Sequence, residues 1–187
     1  YTYRLFDQLA ILLPEGISGG ISTSPISYKH WHDSFEALDI AFTLGAEHLV
    51  QDIIHLKEIE EKTGKYLHLD MEPEPDGLLE NSDEVIHFFD NYLIPMAKVI
   101  LERELGVNGD EAKSLVLRYI TVCYDICHFS LAYEEPEMTL KKFADHGIQV
   151  GKIQVSAALK IIFDADNKEK IWEALALFNE PTYLHQV

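Results

Sequence analysis

The chain has 187 residues, of which 47% are hydrophobic and 11% aromatic, so residues 1–187 can bury the core of a single domain. Its 15 basic and 32 acidic side chains give a net charge of −17, which repels nucleic-acid backbones and anionic lipid. We therefore predict no nucleic-acid partner. No apolar run approaches the roughly 18 residues of a membrane span, and no leader opens the chain, so we predict no membrane insertion.

The two cysteines, Cys123 and Cys127, do not have Cys-x-x-Cys spacing and cannot supply an extracellular disulfide framework. This cysteine usage predicts a reducing compartment, and we expect a cytoplasmic protein.

The first elements in chain order are a helix, a strand and a second helix. Apolar residues at helical spacing predict a helix over 1–13, which Pro14 ends. A short strand is predicted within 17–24, before Pro25. A long amphipathic pattern predicts a helix from about 32 to 62, closed by Gly64.

The strand and helix alternation then repeats three times. Strands are predicted over 66–71, 115–124 and 150–155, and helices over 83–105, 140–146 and 168–178, with Gly106 as the cap of the first of these helices. The apolar stretch 182–187 is predicted to be a fifth strand.

Strands that alternate with helices predict an α/β fold with a parallel sheet and right-handed crossovers. Five strands are fewer than the eight that close a barrel, which typically takes about 250 residues. We therefore predict that the chain is the C-terminal part of a (β/α)8 TIM barrel, about strands four to eight. The missing strands would come from the rest of the protein or from a homo-oligomer partner. The alternative is a complete five-stranded, doubly wound domain.

The first chemical motif is the strand His68-Leu-Asp-Met-Glu72 and the turn after it. Alternation places His68, Asp70 and Glu72 on one face, where they can point into a barrel lumen. Carboxylates at the carboxyl end of a barrel strand can bind a divalent cation or act as a general base. For Glu74 and Asp76, between prolines, a solvated turn is the favoured interpretation.

The second motif, Asp125-Ile-Cys-His128, follows a very apolar strand. A turn here can bring Asp125 and His128 around one cation or one substrate hydroxyl. The alternative is that Asp125 caps the turn and His128 is a hydrogen-bonded, partly buried histidine. For Cys127, a small buried residue is favoured over a thiolate nucleophile.

These motifs carry a resemblance to a known superfamily. Glu72 at one strand end, Asp125-x-x-His128 at the next and Lys152-Ile-Gln154-Val-Ser156 after them resemble the xylose isomerase-like superfamily of TIM barrels, which holds sugar isomerases, epimerases and apurinic endonucleases. More closely, the stretches 68–77 and 123–129 resemble the EboE-type metabolite-traffic proteins, a bacterial branch of that superfamily.

The resemblance implies a metal ligand and acid/base at Glu72, a metal ligand at Asp125, and a catalytic or metal contact at His128. The implied cofactor is a divalent metal, Zn, Mn or Mg. Metal-binding relatives place a histidine where this chain has Gln154, and the glutamate of their last strand has no match before the end, where Gln186 is the nearest polar residue. Glutamine cannot act as a base near neutral pH and is a poor transition-metal ligand, so we expect the inherited site to be either altered or metal-free.

Four residues are candidates for substrate binding: His30, Trp31, His68 and Gln154. His30 and Trp31 follow a strand and turn and can supply an aromatic wall for a sugar or other metabolite. The equally good alternative is a helix start with surface histidines. The acidic residues within 164–167 are favoured as a helix cap over a calcium site.

Two function classes follow. The first is a divalent-metal-dependent isomerase or epimerase acting on a sugar or other small polar metabolite, in which a carboxylate moves a proton. The second is a non-catalytic metabolite-binding or trafficking protein that retains the barrel pocket. Glu72, Asp125 and His128 favour the first, and Gln154 favours the second.

Overall fold

A computed structural model describes residues 1–162 and 165–179 of the chain. The described part is an α/β structure with one parallel four-stranded sheet in the order β1-β2-β3-β4. The strands are β1 (Gly19–Thr23), β2 (Leu67–Met71), β3 (Ile120–Asp125) and β4 (Val150–Gln154). The helices are α1 (Thr2–Leu12), α2 (Phe35–Thr63), α3 (Ser82–Phe88), α4 (Ile94–Leu105), α5 (Gly109–Tyr119), α6 (Ile126–Leu131), α7 (Pro136–Asp145) and α8 (Lys168–Ala176).

The predicted α/β alternation and parallel sheet are confirmed. Helix α2 begins at its N-cap Ser34, whose hydroxyl accepts a hydrogen bond from the Ala37 amide, and ends at Gly64 in the left-handed conformation. The predicted strand 182–187 lies outside the described residues.

One predicted strand was wrong in its first half. Residues 109–119 form helix α5, and strand β3 begins only at Ile120. Asn108 and Glu111 form a capping box at the start of α5, and Ala112, Val116 and Tyr119 recur at helical spacing on its buried face. The apolar run into the strand hides this helical period, because the last turn of α5 continues directly into β3.

Two helices also differ from their predicted bounds. The predicted helix 83–105 is divided by a π-helical segment, Phe89–Leu93, between α3 and α4. Helix α7 begins four residues earlier than predicted, because Pro136 occupies its first turn, where a missing amide hydrogen costs nothing.

The convex face of the sheet packs on the helices and forms the core. Leu67, Leu69 and Met71 of β2 and Val122 of β3 are buried there, against apolar residues of the helical layer that include Ile53 of α2. A parallel sheet that is covered on this face is expected to read as an apolar run. Within the described ranges, no helix is long and apolar enough to cross a membrane.

The sheet is curled, and its concave face carries the polar side chains. Lys152 Nζ of β4 donates a hydrogen bond to Ser22 Oγ of β1 at 3.1 Å, although these strands are not neighbours. Cys123 pairs with Lys152 while the preceding Val122 pairs with Val150, so Gly151 is the extra residue of a β-bulge. The bulge brings Lys152 and Gln154 to the concave side, where they meet Ser22 and Asp125.

Candidate functional site

The carboxyl ends of β2 and β3 bring Glu72 and the turn from Asp125 to His128 to the same edge of the sheet. The two strands are parallel and adjacent, with Met71 paired to Val122, so Glu72 follows β2 at the level of Cys123. The Glu72 carboxylate comes to 4.0 Å from His128 Nδ1, and together with burial it raises the pKa of the Cys123 thiol to about 12. The predicted clustering of strand-end residues is therefore present at this edge of the sheet.

Asp125 is 1% exposed and is held by three protein donors. Its Oδ1 accepts the Cys127 amide at 2.9 Å and the Ser156 hydroxyl, and its Oδ2 accepts the Gln154 side-chain amide. Burial by itself would raise the pKa of Asp125, but the hydrogen bonds from Ser156 and Cys127 outweigh burial and lower it. These hydrogen bonds therefore hold Asp125 as a carboxylate at the carboxyl end of β3.

His128 lies in the first turn of α6, for which Asp125 is the N-cap. Its Nδ1 is 3.0 Å from the carbonyl oxygen of Pro73. Because a carbonyl can only accept, Nδ1 is the donor in this bond, and in the neutral imidazole Nε2 then retains its lone pair. The capping and hydrogen-bonding roles considered for Asp125 and His128 are both present, and they orient the two side chains toward each other.

Asp125, Cys127 and His128 form a group that can hold a metal ion. Each offers one ligand atom, and these atoms all lie within 4.8 Å of one another. Carboxylate, thiolate and imidazole are all metal ligands, and a metal-bound histidine usually donates its other N–H to a carbonyl or carboxylate, as His128 does to Pro73. The residues present therefore fit a divalent cation.

Cys127 was not predicted as a ligand. It is half-buried, it is a free thiol like Cys123, and burial raises the pKa of its thiol. The sequence does carry a signal for Cys127. An aspartate that caps a helix directly after a strand fixes the first turn of that helix, so the residues two and three positions later lie beside the capping carboxylate.

Glu74 lies closer to this group than a solvated turn would place it. It is half-buried, and burial raises its pKa, an effect that His128 partly offsets and that Glu72 and Asp125 reinforce. The turn is stabilised by the Gly77 amide, which donates to the Glu74 carbonyl at 3.1 Å. Glu74 is therefore a second carboxylate beside Glu72.

Deeper in the concave face, His68 and Asp70 form a buried pair. His68 Nδ1 is 2.8 Å from Asp70 Oδ1, which also accepts the Thr121 hydroxyl. Asp70 is 1% exposed, and its Oδ2 finds no hydrogen-bond partner among the described residues. His68 and Asp70 thus lie together on the concave face of β2, and Asp70 orients His68.

The other candidate residues lie on the rim or the edge of this face. His30 Nε2 is 3.1 Å from Asp76 Oδ1, and Trp31 is 77% exposed with its ring edge-on to Tyr28. Gln154 contacts Asp125 directly and also accepts from Lys152 Nζ at 3.1 Å. Gln154 therefore contacts the group of Asp125, Cys127 and His128, and His30 contacts the loop after β2.

A cavity of about 690 Å³ opens beside His128. Its wall carries four acidic side chains, and lysines neutralise part of that charge through Lys29–Glu84 at 3.4 Å and Lys142–Asp83 at 2.8 Å. The acidic residues are Glu80, Asp83, Glu84 and Glu134. This cavity is large enough for a small metabolite.

Asp164 of the predicted cap and Gln186 at the chain end lie outside the described residues, whereas residues 165–167 form a 3-10 turn directly before α8, which has Asn167 at its N-cap. The chain matches no model of a known protein family, and it has no significant match among curated proteins.

Proposed function

We propose that the chain is the later part of a xylose isomerase-like (β/α)8 barrel, with β1 to β4 as successive barrel strands. The strand order supports this proposal, because a doubly wound sheet reverses its order at a switch point and the described strands run in sequence. The polar concave face and the strand-end residues agree with a barrel lumen and its catalytic mouth. The outer edges of β1 and β4 would pair with further strands of the protein or with a second copy.

We propose that this mouth is the site of a divalent-metal-dependent isomerase or epimerase. The observation that carries the proposal is the convergence of Glu72, Asp125, Cys127 and His128 from two adjacent strand ends. A bound divalent cation would polarise a substrate carbonyl. Glu72, half-buried between Cys123 and His128, is the carboxylate placed to move a proton.

Among divalent metals, the donor set favours zinc. A thiolate and an imidazole suit Zn²⁺, whereas Mg²⁺ prefers a shell of oxygen ligands. Asp125, Cys127 and His128 would hold the ion, with His128 binding through Nε2 because Nδ1 donates to Pro73.

The cavity beside His128 supports a small polar substrate without negative charge. Four carboxylates in its wall would repel a phosphorylated sugar, whereas hydroxyl groups can donate to them. We propose a neutral sugar or another small polar metabolite in this cavity, in a cytoplasmic protein.

One observation favours a second function. The Gln154 amide and the Ser156 hydroxyl already donate to the two oxygens of Asp125, where the resemblance implies a metal ligand. A site whose carboxylate is satisfied by the protein needs no cation, so a metabolite-binding or trafficking protein without catalysis is the alternative.

The test is a measurement of zinc binding by the full-length protein, with calorimetry for the affinity and elemental analysis for the zinc content. The wild type is compared with three variants: Asp125→Asn, Cys127→Ser and Glu72→Gln. Asp145→Asn is the matched control, because Asp145 lies exposed at the end of α7, in an ion pair with Lys141. We expect one zinc per chain, an at least tenfold weaker affinity in Asp125→Asn and Cys127→Ser, and protection of Cys127 from alkylation by zinc.

An isomerase also requires turnover, so keto and aldo sugars are then screened with the zinc-loaded protein. Turnover that Glu72→Gln abolishes while zinc stays bound supports the proton-transfer role. Saturable sugar binding without turnover or zinc selects the trafficking alternative. Equal zinc affinity in the wild type and Asp125→Asn contradicts the metal centre.

A further inference from the structure

A lysine on the concave face of the sheet has no role in the site described above. Lys152 of β4 is half-buried, and its Nζ donates hydrogen bonds to Ser22 Oγ of β1 and to Gln154 Oε1, each at 3.1 Å. Both acceptors are neutral groups. Among residues 1–162 and 165–179, five other lysines form ion pairs with carboxylates, and Lys152 does not. A lysine that is held in place by neutral groups keeps its charge available for a ligand.

The two hydrogen bonds also fix the position of the Lys152 ammonium group. An ammonium carries three N–H donors, and Ser22 and Gln154 take two of them, so one donor is left without an acceptor in the described part of the chain. Gln154 in turn donates to Asp125 Oδ2. Through Gln154, the Lys152 ammonium group is therefore connected to the residues that can hold a metal ion.

Lys152 and Glu72 act on the same thiol, that of Cys123. Cys123 pairs with Lys152 in the register of β3 and β4. Burial and the Glu72 carboxylate raise the pKa of the Cys123 thiol, and Lys152 opposes this increase. The carboxylate and the ammonium group form no ion pair with each other in the described structure. A substrate bound beside Cys123 therefore meets a proton acceptor and an N–H donor at separate atoms.

An α-hydroxy aldehyde or ketone needs this pair of groups for isomerisation. A carboxylate takes the proton from the carbon that carries the hydroxyl, the C–H electron pair forms a C=C bond, and the carbonyl oxygen becomes negatively charged. The carboxylic acid then returns the proton to the former carbonyl carbon. The hydrogen of the substrate hydroxyl moves to the charged oxygen, which completes the isomeric carbonyl compound. An N–H donor at the carbonyl oxygen stabilises the charge that develops there.

We propose that Lys152 is a substrate-binding and catalytic residue, whose remaining N–H donor binds the carbonyl oxygen of an α-hydroxy aldehyde or ketone while Glu72 removes the neighbouring proton. The proposal also gives Gln154 a role, because its carbonyl oxygen positions Lys152 and its amide positions Asp125. The reaction rests on the isomerase proposed above, but the binding by Lys152 can be measured without zinc and without turnover.

The first experiment titrates the zinc-free, full-length protein with hydroxyacetone, the smallest α-hydroxy ketone, and follows amide chemical shifts in ¹⁵N-labelled protein. We expect saturable shifts at Cys123 and Lys152. Lys152→Met, which keeps the length of the side chain but removes the charge, should bind hydroxyacetone about fivefold more weakly or worse. Lys113→Met, at an exposed position on α5, is the matched control and should bind like the wild type.

A second variant separates substrate binding from a structural role. Ser22→Ala removes the hydrogen bond that joins β1 to β4 and leaves the Lys152 ammonium group in place. We expect Ser22→Ala to bind hydroxyacetone within about threefold of the wild type. If Lys152 only holds the two strands together, Ser22→Ala and Lys152→Met lose affinity equally.

The second experiment measures the exchange of the methylene protons of hydroxyacetone with ²H₂O by ¹H NMR, with zinc-loaded protein. Lys152→Met should lower kcat for exchange about a hundredfold and change KM much less, as expected for the loss of a donor to a developing negative charge.

The outcomes distinguish this proposal from the isomerase itself. Saturable binding that depends on Lys152, without exchange in the wild type, contradicts the isomerase and supports Lys152 as a binding residue. Exchange in the wild type that Lys152→Met leaves unchanged supports the isomerase and overturns the role of Lys152. The role of Lys152 is also overturned by the absence of saturable shifts in the wild type, or by equal losses of affinity in Ser22→Ala and Lys152→Met.

Discussion

Replacing Gly151 with alanine should destabilise the sheet at the β-bulge. A Cβ at this position would come closer than 3.0 Å to three polar atoms at once: Asp70 Oδ1, Thr121 Oγ1 and His68 Nδ1. These side chains are short, buried and bonded to one another, so they cannot swing away as the end of a long surface side chain would.

The cost has three parts. Overpacking a well-packed core costs about 1–3 kcal/mol. Displacing Asp70 from His68 or Thr121 loses a buried hydrogen bond, for about 1 kcal/mol more. Alanine restricts the unfolded chain more than glycine does, and this offsets about 0.4–1 kcal/mol of the loss. We therefore expect Gly151→Ala to lower the free energy of unfolding by about 2–3 kcal/mol.

The measurement is urea unfolding followed by circular dichroism. Gly109→Ala is the control. Gly109 is the first residue of helix α5, and a Cβ there would lie 3.6 Å from the nearest other atom, a side-chain carbon of Lys98. We expect Gly109→Ala to raise the free energy of unfolding by about 0.5 kcal/mol. In the double variant Gly151→Ala/Asp70→Ala, the losses should be less than additive by about 1 kcal/mol or more, since one of the clashing groups is gone. If Gly151→Ala is as stable as the wild type, the bulge does not pack against Asp70 and the reasoning is refuted.

Three further predictions concern stability, each measured by urea unfolding. Because burial raises the pKa of Asp52 from 3.8 to about 6, the folded state binds its proton more tightly than the unfolded state, and the ionised form is a cost above pH 6. Asp52→Asn should raise the free energy of unfolding by about 1–2 kcal/mol at pH 7, after allowance for residual contact of the carboxylate with solvent. This gain should shrink below pH 6 and vanish near pH 3.8. A difference between the variant and the wild type that does not change with pH would contradict this prediction. Asn108→Ala removes the capping box of α5 and should cost about 1 kcal/mol, whereas Asn108→Ser should retain most of the stability. Tyr119→Phe should cost about 1 kcal/mol by removing the hydroxyl that donates to Glu60 Oε2 at 2.6 Å, and the loss should shrink in a Glu60→Gln background.

The sequence by itself determined the alternation of strands and helices and the face on which the polar residues of β2 lie. Period alone separates Leu67, Leu69 and Met71 from His68 and Asp70, because adjacent residues of a strand point to opposite faces. Helix caps with local signals, such as Gly64, were also predictable, since a left-handed C-cap strongly favours glycine.

The boundary between α5 and β3 was not predictable from hydrophobicity. The apolar run that crosses it satisfies both a helical and a strand pattern over a few residues, and the capping box at Asn108 lies well before the ambiguous stretch. Position in the fold decides between the two structures, because β3 must begin where it can pair with Leu69 of β2.

Only the tertiary structure decided which residues meet at the candidate site. The strand-end positions of Glu72 and Asp125 follow from the sequence, but the return of Cys127 beside Asp125 depends on the capped turn into α6. The bulge at Gly151 brings Lys152 and Gln154 to the concave face, and the packing of α2 on β1 and β2 buries most of Asp52. Apart from the local turn at Asp125, these contacts join residues far apart in the chain, and their geometry is set by register and packing, which no local pattern of residues encodes.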